Sequence, residues 1–446
     1  MTESTNAEIS EEASQQISLE EALQLAIRLH QANEFEFAQD IYQKLLDVTP
    51  DNPDLLHFFG LLKHQRGFSE DGAELIKKAL ILLPDYVDAE NNLGNIYLQT
   101  GQPELAEPRF RRVLELNPKL AAAYGNLGIA LKDLDNYSEA IELLLKATQL
   151  EPENAYHYQN LGNVYRKLKQ YPEAVNMFRK SLELRPFDSE AYRKLSLTFY
   201  FMGEIEHCIE VLDQWLSHDP ENPTALHMHA AYSRSNTPSR ASDAYVRQTF
   251  DGFAASFDAV LKRLDYRAPF LVEDALLQLN PDTNWNLLDA GCGTGLCGAL
   301  VRPLVKRLVG VDLSSKMLER ANARGVYDEL IEAELTAFYS QANAEYDAMT
   351  CVDTLCYFGD LTEVISASVN SLKPKGYFLF TLEKLEEDGA EKVFRLNLHG
   401  RYSHTEAYVR KTLTNAGFQI LRIENSVLRK EGREQVLGLV VTAQLS

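Results

Sequence analysis

Two hydrophobic rhythms divide the chain. Up to about residue 233 the apolar positions read as helices, and the pattern repeats. Prolines stand at 50, 84, 118, 152, 186 and 220, every 34 residues. A fixed period of that length marks helix-turn-helix units that stack into a solenoid. Six units fit, from 17–50 through 187–220, and 221–233 reads as one last helix. Small Gly and Ala residues recur where two helices must cross closely, large apolar residues fill between them, and Pro stops the second helix. From 285 the rhythm changes to short apolar runs alternating with helical stretches. "NLLDAG" (286–291), "KRLVGVDLS" (306–314), "YDAMTCVDT" (346–354) and "GYFLFTLE" (376–383) read as strands. Two more, about 418–428 and 435–443, flank the hairpin signal "RKEGRE". This order predicts a mostly parallel, doubly wound sheet with an antiparallel edge. Between the halves, "SRSNTPSRAS" (233–242) is rich in turn formers and loses the 34-residue register.

One polar position keeps the period of the first half. Asn92-Leu93-Gly94 returns as Asn126-Leu127-Gly128 and Asn160-Leu161-Gly162. Asparagine is a poor interior helix former, because its amide competes for backbone hydrogen bonds. The Leu-Gly pair is explained by packing; the Asn before it lies about 100° away around the helix, on the expected concave wall. A carboxamide offers a donor and an acceptor, so a ladder of them suits an extended peptide backbone. Asn95 and Asn163 lie nearly one turn further on. Bonds to neighbouring repeats or to water are the alternative use of these amides.

Composition adds limits rather than a function. The 446 residues are 45% hydrophobic and 24% charged, with a net charge of −21. That balance argues against general affinity for nucleic acid or anionic lipid. About −15 of it falls in residues 1–240, which fits a solvated surface. The opening "MTESTNAEISEEASQQ" is acidic and reads as disordered over 1–16. With no basic leader and no apolar run of membrane-spanning length, a cytoplasmic protein is expected. Five cysteines, an odd number, suggest reduced thiols.

The repeats resemble the tetratricopeptide (TPR) pattern. In 85–118 it is carried by Leu93, Gly94, Tyr97, Ala106, Phe110 and Pro118. In 119–152 it is carried by Tyr124, Leu127, Gly128, Ala140, Ala147 and Pro152, and in 153–186 by Tyr158, Leu161, Gly162, Tyr165, Ala174, Phe178 and Pro186. The asparagine ladder resembles that of the TPR domains of O-linked N-acetylglucosamine transferases. The resemblance implies an all-α superhelix of about six repeats over 17–233, a linker at 234–243, and a groove for a protein or peptide partner. Asn92, Asn126 and Asn160 would form the rungs, with Asn95 and Asn163 widening it.

The second half resembles the class I S-adenosylmethionine (SAM)-dependent methyltransferases. "LLDAGCGTG" (287–295), "VGVDLSSKML" (309–318) and "YDAMTCVDTLCYF" (346–358) carry the resemblance. The nicotinamide fingerprint would need Gly or Ala at Leu296, and a P-loop would need an absent GK[ST]. Fused TPR–methyltransferase proteins are the nearest likeness, through "YVRQTFDGFAASFDAVLKRLDY" (245–266) and "GRYSHTEAYVRKTLTNAGF" (400–418). The implied domain is Rossmann-like, spans 244–446 and has a seven-stranded sheet.

Carried over residue by residue, Gly291, Gly293 and Gly295 would underlie the methionine part of SAM, supported by Asp289. Asp312, with Leu313 after it, would take the ribose hydroxyls. Glu334 would take the adenine amino group, with Leu335 flanking the ring. Phe250, Phe253 and Phe257 fall on one helical face and suit either a lid or a core stripe. Transfer from a sulfonium depends mainly on alignment and water exclusion. A base is needed only where the acceptor must lose a proton, and Asp353, His404 and Tyr402 are the candidates. Ser403-His404-Thr405-Glu406 also reads as a capping box, which would make His404 the first residue of a helix. Cys292, Cys297, Cys351 and Cys356 have x₄ spacings unlike zinc pairs, and no metal is assigned. Three functions follow: a methyltransferase whose array recruits a polypeptide, a small-molecule methyltransferase using the array for docking, and a non-catalytic scaffold that binds SAM.

Overall fold

The computed structural model describes residues 18–281, 283–386, 393–432 and 434–446; the expected disordered segment 1–16 lies outside them. The chain divides into two compact units, Met1–Met202 and Gly203–Ser446.

The first unit is a run of antiparallel helix pairs. They are α1 (Leu19–Gln31) with α2 (Phe35–Val48), α3 (Pro53–Gln65) with α4 (Ser69–Leu82), and α5 (Val87–Gln99) with α6 (Pro103–Leu116). Then come α7 (Ala121–Asp133) with α8 (Tyr137–Leu150), α9 (Ala155–Lys167) with α10 (Tyr171–Leu184), and α11 (Ser189–Met202). The periodic prolines act as the sequence suggests. Each follows the C-cap of a second helix, and those caps (Thr49, Leu83, Asn117, Glu151, Arg185) hold φ between −130° and −138°. A residue before proline is driven out of the helical region, so the helix ends there. The glycines mark the crossings. A Cβ on Gly94 would stand 2.7 Å from the Phe110 ring, one on Gly128 2.6 Å from Leu144, and one on Gly162 2.8 Å from Phe178. Gly60, in the unit that departs from Leu-Gly, meets the Gly72 carbonyl at 2.7 Å in the same way.

The second unit begins with α12 (Ile205–His218) and α13 (Pro223–Ser233), so the boundary expected after 233 falls within it. The cause is packing. Ala230 and Ala231 of α13 form a cluster with Leu396 and Tyr402, and His227 Nε2 donates to the Gly400 carbonyl at 2.8 Å. The expected linker is likewise tied down: Ala241 N–H donates to Tyr357 O, and Gly359 and Asp360 N–H both donate to Ser239 O. Helices α14 (Asp243–Phe253), α15 (Phe257–Arg263) and α16 (Ala268–Leu277) lead into the sheet.

The sheet has nine strands among the described residues. They are β1 (Asn286–Ala290), β2 (Arg307–Asp312), β3 (Glu329–Glu332), β4 (Tyr346–Cys351), β5 (Leu372–Lys384), β6 (Phe394–Leu396), β7 (Tyr402–His404), β8 (Phe418–Glu431) and β9 (Glu434–Leu445). The parallel core runs β3-β2-β1-β4-β5, and β9 then β8 close it antiparallel. The two strands beyond the expected seven are β6 and β7, a hairpin that pairs with the protruding end of β5 at Glu383 and Lys384. Helices α17 (Leu296–Val301), α18 (Ser315–Arg324), α19 (Leu335–Gln341), α20 (Thr362–Ser368) and α21 (Glu406–Asn415) join the strands. No helix among the described residues is long and apolar enough to cross a membrane.

Candidate functional site

The order β3-β2-β1-β4-β5 reverses direction between β1 and β4, and a crevice opens there beyond the strand ends. The chain leaves β1 through Gly291, Gly293 and Gly295, with φ of 72°, 55° and 85°. Only glycine takes such values without strain. Space separates their roles. A Cβ on Gly291 would fall 2.2 Å from Thr354 Oγ1, whereas one on Gly293 would meet nothing within 4 Å. Gly291 is a close crossing, and Gly293 borders open space.

Asp312 ends β2 and ties this loop down. Its Oδ2 accepts from Gly293 N–H at 2.8 Å and its Oδ1 from Ser314 N–H at 2.9 Å. Burial pushes its carboxyl above the ordinary value, against the pull of those N–H groups. Each oxygen retains a lone pair. Glu334 follows β3 and caps α19: Oε2 accepts from Ala337 N–H at 2.8 Å. Its Oε1 is buried without a hydrogen bond, although Arg240 Nη1 stands 3.5 Å away.

These groups line one cleft. Gly291, Gly293, Asp312, Leu313, Glu334, Leu335 and Asp353 all border it. Asp289 and Gly295 do not. Asp289 sits beneath the loop, fully buried, accepting from Tyr327 Oη at 2.7 Å and Thr350 Oγ1 at 3.0 Å. Burial raises its carboxyl to about 6. Its role in the structure is support from below.

Of the catalytic candidates, only Asp353 reaches the cleft, and both its oxygens are occupied. Oδ1 accepts from Thr381 Oγ1 at 2.9 Å, and Oδ2 pairs with Arg429 at 2.9 Å. That is a correction to its reading as a free base. Tyr402 is fully buried, with its hydroxyl on the Pro238 carbonyl at 2.9 Å. His404 is equally buried, with Nε2 donating to Gly359 O at 3.0 Å. Neither borders the cleft. The capping-box reading also moves: His404 ends β7, and the cap is Thr405, whose Oγ1 accepts from Tyr408 N–H at 3.3 Å.

Burial pushes His404 down to about 4. In the unfolded chain its imidazole titrates near 6.5, so its contribution to stability is present above that pH and lost as pH falls toward 4. We expect the second unit to lose about 1–3 kcal/mol over this window from His404. His404→Gln should flatten that part of the profile in urea unfolding at stepped pH.

Several cleft residues were not among the expected site residues. Arg240 comes from the supposed linker and Tyr266 from the end of "KRLDY". Thr354 and Tyr357 come from the turn after β4. The aromatic face divides: Phe250 and Phe257 border the cleft, and Phe253 packs edge-on against Phe257 at 5.4 Å. The covering helices are anchored by polar contacts, Ser314 to Asp251 and Thr294 to Asp258. Burial raises the hydroxyls of Tyr266 and Tyr357 well above their ordinary value, so both remain phenols. Burial does the same to the thiols of Cys292, Cys297 and Cys356. Among the described residues no three His, Cys, Asp or Glu side chains are grouped to hold a metal.

In the first unit the expected rungs differ among themselves. Asn92 Nδ2 donates to His57 Nε2 at 2.9 Å, and His57 Nδ1 meets Tyr86 Oη at 3.0 Å. Asn126 Nδ2 donates to Asn95 Oδ1 at 2.9 Å. These amides join neighbouring repeats, which was the alternative reading. The side-chain amides of Asn160 and Asn163, both partly exposed, have no hydrogen bond among the described residues.

The comparisons agree with this division. A family model described as "Methyltransferase domain" matches residues 288–380. One described as "Tetratricopeptide repeat" matches 86–153 and 119–186. The chain is similar to the ubiquinone biosynthesis O-methyltransferase of Xanthomonas axonopodis pv. citri, 28% identical over 207 residues, covering 42% of this chain and 86% of that protein. It is also similar to methyltransferase-like protein 27 of Homo sapiens, 43% identical over 84 residues, covering 18% of this chain and 34% of that one. Among solved structures, MamA from Desulfovibrio magneticus RS-1 is 24% identical, covering 38% of this chain and 97% of that one, with a TM-score of 0.36.

Proposed function

We propose that this chain, which joins tetratricopeptide repeats to a methyltransferase domain, is a SAM-dependent enzyme whose repeats recruit a polypeptide. We place it in the cytoplasm, where its five buried cysteines would stay reduced. The observation that carries the cofactor reading is the set of unsatisfied groups in the cleft. Glu334 Oε1 is buried and lacks a hydrogen bond, which suits an amino donor such as that of adenine. Asp312 keeps a lone pair on each oxygen after its two backbone bonds, which suits a vicinal diol. Gly293 borders space that a Cβ would enter freely. The residues present therefore fit the group.

When bound, SAM supplies a methyl group already activated by a sulfonium. The chain's own residues orient and exclude. Leu313, Leu335, Val246, Phe250 and Phe257 give the cleft apolar walls, and a dry site strengthens the interactions inside it. Tyr266 and Tyr357 stay protonated and can donate hydrogen bonds. With Asp353 held by Arg429 and Thr381, the cleft presents no free carboxylate beyond β4. That suits an acceptor which needs no strong base.

A second reading has its own support. The Xanthomonas relative, 86% covered, is named as an O-methyltransferase of ubiquinone biosynthesis, which favours a small-molecule acceptor with the repeats used for docking. A lysate incubated with labelled SAM separates the two. We expect label in polypeptide with the wild-type chain, and at least about threefold less with Asn92, Asn126 and Asn160 all changed to alanine, in line with the loss of several modest hydrogen bonds. Label confined to small molecules, unaffected by the triple change, would sink polypeptide recruitment.

A further inference from the structure

The amide face of α9 runs into a group of cations. Asn160, Asn163 and Arg166 follow at intervals of three, which keeps them on one side of the helix. The Arg166 side chain makes no hydrogen bond or ion pair among the described residues, and its Nε is buried. Opposite, α11 carries Arg193 and Lys194. Lys194 occupies the phase of the asparagine rungs, 34 residues after Asn160. The one acid among them is Glu190. It holds Arg193 through two bonds of 2.7 Å, and it stands 3.4 Å from Lys194 Nζ. Three cations thus share one carboxylate, whose two oxygens are already committed to Arg193.

The surrounding charge makes this group unusual. Residues 1–150 carry 25 acids against 12 bases, whereas residues 151–200 carry 6 against 8. Local excess of positive charge in an acidic array has a cost. Burial, then the neighbouring Arg193 charge, pushes Arg166 below its ordinary value. Burial also lowers Lys194, and the Arg193 and Arg166 charges add to it. A buried guanidinium nitrogen without a partner is an expensive state. An incoming anion would relieve it, with charge-assisted bonds to Arg166 and Lys194.

We infer that Arg166, Lys194 and Arg193 form an anion subsite on the first unit, one that takes a carboxylate side chain of an acidic polypeptide. The free amides of Asn160 and Asn163 lie beside it to hold the backbone of the same segment. This rests on the reading that the repeats bind a polypeptide, and it names the class: acidic rather than basic. Arg166 brings an unpaired charge and Lys194 one that shares Glu190 at 3.4 Å; Arg193, fixed by Glu190, supplies a rigid edge.

The test uses the full chain and fluorescein-labelled hexaglutamate, with hexaglutamine and a singly phosphorylated hexaserine as comparisons, read by fluorescence anisotropy. Wild type should bind hexaglutamate and discriminate against hexaglutamine at least about tenfold, the scale of one or two charge-assisted bonds. Arg166→Gln with Lys194→Gln should remove that discrimination, while Arg166→Lys with Lys194→Arg should keep most of it. Far-UV circular dichroism and its thermal transition should be unchanged in the same variants, which confirms that the repeat unit is folded. Equal binding of the two peptides, or undiminished hexaglutamate binding in the double glutamine variant, would overturn the subsite. A preference for the phosphopeptide would overturn the carboxylate assignment. Asn160→Ala separates the two levels. If it leaves hexaglutamate unaffected while the double variant loses it, the subsite stands and backbone capture fails.

Discussion

Gly293→Arg is expected to weaken SAM binding by at least about a hundredfold, the effect of filling a ligand's own space with a bulky side chain. The fold should survive, because a Cβ at this position meets nothing within 4 Å. Gly293→Ala should therefore cost only the strain of a left-handed residue, about 1–2 kcal/mol, and retain binding. The neighbouring Gly291→Ala should behave differently: its Cβ would lie 2.2 Å from Thr354 Oγ1, so the loop itself must shift. Asp312→Ala removes the acceptor of Gly293 N–H and Ser314 N–H together with the expected diol partner. A comparable loss of about a hundredfold is expected, since hydrogen bonds to a charged group are worth about 1.5–3 kcal/mol each. Calorimetry with SAM reads all four variants. Wild-type affinity in both Gly293→Arg and Asp312→Ala would remove the cofactor assignment. Loss in Gly291→Ala alone would reflect only the loop's geometry.

The sequence displayed what periodicity can carry. The strands β1, β2, β4 and β5 are apolar runs, and β8 and β9 flank a turn signal, so all six were readable. Strand β3, "ELIE", is partly exposed along its length and has no apolar run. Strands β6 and β7 have three residues each, too few to show alternation. Their pairing with β5 is what draws His404 into the sheet and moves the cap to Thr405. Gly291, Gly293, Asp312 and Glu334 stood in motifs and border the cleft, whereas Gly295 of the same loop does not. Nothing in the sequence marked Arg240, Tyr266 or Tyr357 as a site residue; Arg240 and Tyr266 reach the cleft from the chain before the sheet, and Tyr357 from the turn after β4. The asparagine period told of a shared face but not of partners. Asn92 and Asn126 spend their donors on His57 and Asn95, and a repeat pattern cannot reveal which copies are spent.

Arg429→Met is expected to destabilise the second unit by about 3–5 kcal/mol, the cost of leaving buried carboxylates without their cation. Arg429 is only 4% exposed. Its Nη1 holds Asp353 at 2.9 Å, its Nε holds Glu431 at 2.9 Å, and its Nη2 bonds Glu383. Arg401 bridges Glu383 and Glu431 from the other side. Burial alone would raise Glu383, but the charges of Arg401 and Arg429 overcome it and bring the carboxyl below its ordinary value. A depressed carboxyl contributes stability that is present above the unfolded value near 4.5 and is lost as pH falls through the folded value. Removing Arg429 should therefore lower stability at neutral pH and move the onset of acid unfolding upward. Trp215 and Trp285 are the chain's two tryptophans, and both lie in the second unit. Tryptophan fluorescence in urea therefore reports this unit alone. Adding Glu383→Gln to Arg429→Met should recover part of the loss, because the pair then lacks both an unpaired charge and its donor. Arg429→Lys should fall between, since an ammonium cannot reproduce three diverging bonds. The network also reaches the cleft. Asp353 holds φ of 51°, a value disfavoured for a residue with a side chain, and Arg429 and Thr381 are what fix it there. If Arg429→Met unfolds at the wild-type urea midpoint, the charge network is not a stabilising element. If it is destabilised yet binds SAM normally, the network supports the fold without shaping the cleft.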